Sequence, residues 1–78
     1  MLDERLKKVF VAVMGISPEQ YHPALAPTEV QNWDSLGHVQ LVEAMQKEFG
    51  LEFAVSEIME MEDVGKIKEI LGRHGIEQ

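Results

Sequence analysis

The chain has 78 residues, enough for one domain over 1–78, and a core of that size rarely nets more than ~3–5 kcal/mol of stability. Fourteen Asp and Glu against seven Lys and Arg leave a formal charge of −7, which disfavours nucleic acid and anionic membranes and favours partners with basic patches. Cysteine is absent, so disulfides and thiolate metal sites are excluded, and any thiol chemistry must be borrowed.

An unstapled small domain points to the cytoplasm. The longest apolar run, Val9 to Met14, falls far short of the roughly 20 residues of a membrane helix, and no signal-peptide pattern opens the chain. A soluble, monomeric protein without membrane insertion is the expectation.

From Leu2 to Met14, the spacing of Leu2, Leu6, Val9, Phe10 and Val13 by threes and fours predicts an amphipathic helix, with Val11 turned away and Gly15 as its stop. Residues 16–34 hold Pro18, Pro23 and Pro27 and carry no period, so they read as loop, with a short turn possible after Ser17. Compact domains seldom keep structureless connections beyond ~12–15 residues unless these are functional or packed down. Ile16, Tyr21, Leu25 and Val30 are spaced to anchor this loop along the bundle.

Asp34 or Ser35 can N-cap a second helix that runs to Phe49 and ends at Gly50. Leu41, Val42, Met45 and Phe49 share its core face, with His38 near the middle. Leu36 falls on the opposite face with Gln40 and Glu43, and Val39 lies on the flank. In residues 51–63 acidic side chains alternate with apolar ones, without a basic residue and with weak periodicity. A short helix capped by Ser56 fits. Val64, Ile67, Ile70 and Leu71 then predict a last helix, capped by Asp63 and ended near Gly72, with the tail from Arg73 fraying. The sum is an all-α bundle of three long helices and one short one, with a long loop between the first and second.

Chemistry is sparse. The opening turn of a helix is an anion site, because unpaired amides and the positive dipole end converge there, and Ser35 stands at such an opening. Taken alone, Asp-Ser before a helix is most often a plain cap. The over-long loop and the apolar Leu36 beside it favour a modified or recognised serine. A Ser35 nucleophile with His38 as base is the enzymatic alternative, but Trp33 stands where a Gly-x-Ser-x-Gly elbow requires glycine. His38 reads better as a packed histidine. His22, His38 and His74 lack metal-ligand spacing, and the acidic stretch does not fit a calcium loop. Met45, Met59 and Met61 read as core filler that could adapt to an apolar guest.

Asp34-Ser35-Leu36 opening the second helix, Glu48-Phe49-Gly50 closing it and Val64-Gly65 opening the last make the chain resemble the acyl carrier proteins over nearly its full length. The resemblance implies an antiparallel four-helix bundle that is not an enzyme. It implies that Ser35, beside Asp34, receives 4'-phosphopantetheine from coenzyme A through a phosphopantetheinyl transferase and magnesium, and that the arm's thiol carries acyl thioesters. Acyl-loading and acyl-processing enzymes with basic docking patches would then meet Leu36, Val39, Gln40 and Glu43, with further contact from Glu57, Ile58 and Glu60. The modest acidity of the second helix and Trp33 before Asp-Ser depart from fatty-acid-synthesis members and look more like carriers of a specialised pathway. Peptidyl carriers, which tend to have Gly and His just before the serine, fit less well. The competing reading is a small acidic helical interaction module with Ser35 only a helix N-cap.

Overall fold

The computed structural model describes residues 2–76. α1, Leu2–Met14, buries Leu2, Leu6, Val9, Phe10 and Met14, so its apolar stripe is the one its spacing predicts. Val11 does not point away. It packs half-buried against the core, as does Val13. α2, Ser35–Phe49, turns Leu41, Val42, Met45 and Phe49 inward. The two helices run antiparallel, because the start of α1 meets the end of α2 and the end of α1 meets the residues just before α2. Arg5 Nε donates to Glu48 at 2.8 Å, its guanidinium lies 4.6 Å from the centre of the Phe49 ring, and Asn32 Nδ2 donates to the Met14 carbonyl at 3.0 Å.

The connection between them is packed down. It forms single 3-10 turns at Pro18–Gln20 and Pro27–Glu29, the first directly after Ser17, and its anchors Ile16, Leu25 and Val30 are buried while Tyr21 is half-buried. Burial pushes the Tyr21 phenol pKa up, assisted by its hydrogen bond to Asp3. Loop carbonyls also finish the last helix, α4, Val64–Arg73: Leu25 accepts from the Val64 amide at 3.0 Å and Pro23 from the Gly65 amide at 2.8 Å. A Cβ on Gly65 would sit 3.2 Å from that Pro23 oxygen, which accounts for the glycine in Val64-Gly65.

The short helix α3, Val55–Met59, corrects one expectation. Ser56 lies inside its first turn, and the cap position is Ala54, whose amide donates to Glu57 Oε1 at 2.9 Å. A second correction concerns the end of α4. Asp63 caps it as expected, accepting from the Lys66 amide, but the helix runs past Gly72, and the residue that turns left-handed is Gly75, φ 85°. Beyond Arg73 the chain does not fray at once: His74 meets Phe53 edge-on at 5.4 Å and donates to Glu57, and Ile76 packs against the core. Residues 77–78 of the expected fraying tail lie outside the described residues. The architecture is thus a small all-helical bundle of three long helices and one short one, and among the described residues no strand is present.

Three carboxyls are held below their ordinary range: Asp3 chiefly by its hydrogen bond to Lys68, Glu48 by Arg5, and Glu57 by the Ala54 amide and then His74. Each binds a proton less readily folded than unfolded, so its contribution is complete above the ordinary carboxylate range and is lost as pH falls through the lowered values. Thermal unfolding followed by circular dichroism should therefore move to lower temperature below about pH 4. Glu57→Gln should remove part of that dependence.

Candidate functional site

The site is built where the loop hands over to α2. Asp34 takes extended backbone and its Oδ1 accepts from the Gly37 amide at 2.8 Å, so Asp34 is the N-cap and Ser35 is the first helical residue. This settles the choice between the two and removes capping as a role for the Ser35 hydroxyl, which stands exposed. The His38 amide closes the first helical bond onto the Asp34 carbonyl at 2.7 Å, so the Ser35 and Leu36 amides have no acceptor within the helix. The corresponding amides of α4 are taken by Leu25 and Pro23, so the start of α2 is open where that of α4 is closed.

What lies behind Ser35 was only partly visible in the sequence. Trp33 is buried at 4% exposure, edge-on to Phe10 with ring centres 5.2 Å apart, and stacked on His38 at 6.2 Å. Its Nε1 donates to His38 Nδ1 at 2.8 Å. Because the indole can only donate, this bond selects the Nε2–H tautomer of His38, which donates to the Ile58 carbonyl of α3 at 2.9 Å. His38 is thus the packed histidine expected. Both its nitrogens are engaged away from Ser35, and the nucleophile–base pair of an esterase is not formed.

An open cleft of about 470 Å³ adjoins Ser35, lined by Pro27, Trp33, Asp34, His38, Ile58, Met59 and Met61. Of the methionines expected as core filler, Met45 and Met61 are buried, the latter at the cleft, but Met59 is 79% exposed on its rim.

Leu36 is 67% and Val39 54% exposed, with Gln40 and Glu43 also exposed, as the helical projection places them. The three expected contacts on α3 and its end are less free. Glu57 is bonded to His74, Glu60 pairs with Arg73 at 3.5 Å, and Ile58 packs half-buried. Instead Val55, 73% exposed, and Met59 carry the apolar surface of α3. The weak period of this stretch hid them. Among the described residues no cluster of His, Asp or Glu could hold a metal, and no helix is long and apolar enough to cross a membrane.

An exposed hydroxyl on the first residue of a helix with open amides suits a phosphodiester-linked group: the negative charge would lie against the positive end of α2 without burial. Residues 4–71 match the family described as the phosphopantetheine attachment site. The acyl carrier proteins of Nitratidesulfovibrio vulgaris strains DP4 and Hildenborough are each 35% identical to the chain over 51 residues, which is 65% of this chain and 67% of each relative. The chain belongs to the acyl carrier protein family. Its prosthetic group is a covalently bound phosphopantetheine.

Proposed function

We infer that Ser35 is the attachment residue and that this chain is a discrete acyl carrier, moving acyl intermediates between separate enzymes and catalysing nothing itself. The observation that carries the reading is the exposed Ser35 hydroxyl at the start of α2, freed from capping by Asp34 and set beside both open amides and an apolar cleft. The arm, when attached, supplies the thiol that the sequence lacks and presents cargo as a thioester. This chain's residues do the rest. Asp34 holds the turn, the Ser35 and Leu36 amides offset the phosphate charge, and Leu36, Val39, Gln40 and Glu43 present a mixed apolar and acidic face to the phosphopantetheinyl transferase and to acyl-loading and acyl-processing enzymes. Val55 and Met59 extend that face, while Glu57, Ile58 and Glu60 add contacts from partly engaged side chains.

The limited acidity of α2, which offers Glu43 and Glu48 but also Lys47, supports service in a specialised lipid or polyketide pathway over general fatty-acid synthesis; so does the buried Trp33 before Asp34-Ser35. A monomer in the cytoplasm is the matching form. Incubating the apo protein with coenzyme A, magnesium and a broad-specificity transferase should add one phosphopantetheine by intact mass; an unchanged mass would overturn the assignment. Docking by charge should also show in kinetics. Association with the transferase should slow as salt screens the contact and slow further in Glu43→Lys, measured by stopped flow at about 0.05 and 0.5 M salt. Rates indifferent to both would rule out electrostatic docking.

A further inference from the structure

The cleft beside Ser35 ends on a particular wall. Its buried lining residues are Trp33 and Met61, both 4% exposed, and the indole packs edge-on against Phe10, which is fully buried and does not line the cleft. The indole thus touches the cleft on one side and Phe10 on another, and a chain that entered by way of Trp33 would have to displace it. The indole is held on two sides, by the edge-on contact with Phe10 and by its hydrogen bond to His38 Nδ1, and His38 is fixed in turn by the Ile58 carbonyl. Swinging the indole aside would break this half-buried hydrogen bond and the edge-on contact with Phe10.

We propose that Trp33 is a length stop for the carried acyl chain, and that His38 is the positioning residue that holds the stop in place. The cleft then takes a short acyl chain along Pro27, Ile58 and Met59 and stops it at the indole. A long chain lies outside the bundle and leaves Phe10 untouched. The acyl groups that the cleft shelters are therefore short ones. This inference rests on attachment at Ser35.

The test loads Ser35 with hydrolysis-resistant pantetheine amides of acetyl, hexanoyl and dodecanoyl acids. It reads the emission of Trp33, the one tryptophan in the sequence, and the NMR signals of the Phe10 ring and the Met61 methyl. In the unaltered protein, hexanoyl should shift Trp33 emission and Met61, and no chain should shift Phe10. In His38→Ala, and independently in Trp33→Phe, dodecanoyl should shift the Phe10 ring, while His38→Gln, which can still accept from the indole and donate to Ile58, should restore the block. Thermal melts identify a variant that has lost its fold, and the other variant then decides. Dodecanoyl shifting Phe10 in the unaltered protein, or no chain-length dependence in any variant, overturns the stop. Failure to gain mass at Ser35 overturns the attachment itself, so the two failures are told apart before any spectrum is taken.

Discussion

Ser35→Ala will abolish phosphopantetheine attachment and leave the fold almost as stable as before. The two halves of that result come from one geometric fact: Asp34, not Ser35, accepts the Gly37 amide, so the serine oxygen holds nothing up. Alanine is a good helix former at an exposed first-turn position, and the change should fall within about 0.5 kcal/mol of neutral. Asp34→Ala should give the opposite pattern in stability, losing about 0.5–2 kcal/mol with the cap. It should also lower the attachment rate, because the turn that displays Ser35 loosens. Urea denaturation alongside intact mass after transferase treatment separates the cases. A Ser35→Ala protein that lost as much stability as Asp34→Ala would support the plain-cap reading, and one that still gained the prosthetic group would place the attachment elsewhere.

How far the sequence reveals this site depends on the range of the forces involved. The helices α1, α2 and α4 are written in side-chain periodicity, a local signal, and the apolar side chains of Leu36 and Val39 face outward because the period of α2 leaves them no other place. The display of Ser35 was legible for the same reason, since it follows from where a period begins. Trp33 could be seen as unusual, but its use could not, because its partner Phe10 lies on another helix and its bond to His38, itself held by Ile58 of α3, depends on ring orientation. The end of α4 misled for a related cause. Gly72 looks like a stop, yet the turn is made at Gly75, where the chain also closes the Ile76 amide onto the Leu71 carbonyl at 3.1 Å. Ser56 has the chemistry of a cap, but Glu57 reaching back to the Ala54 amide moved the helix start ahead of it. The role of Asn32 left no trace in the sequence at all. Its side chain ties down the Met14 carbonyl while its own carbonyl presses on Gly37, a pairing made only by the tertiary fold.

That pairing makes Gly37→Ala the most damaging conservative change to the site. In a helix, alanine normally gains about 0.5–1 kcal/mol over glycine, so local propensity alone calls for stabilisation. At position 37 the added Cβ would fall inside the backbone carbonyl of Asn32, with the Asp34 carboxylate also in tight contact at 3.3 Å. Asn32 cannot yield easily, since its Nδ2 holds the end of α1 and the next residue, Trp33, is wedged between Phe10 and His38. Overpacking against a fixed wall costs about 1–3 kcal/mol, which outweighs the propensity gain. Relief could come only by displacing the segment from Asn32 to Ser35, and such a displacement breaks the Asp34 cap and moves the hydroxyl. Gly37→Ala should therefore lose stability and react slowly with the transferase, whereas Gly72→Ala, in α4 with open space around the added methyl, should gain stability and react normally. Denaturation midpoints and initial attachment rates of the two variants measure both effects. If both variants gained stability, helix propensity and not the Asn32 contact would govern this turn, and the rigid display of Ser35 would lose its physical basis.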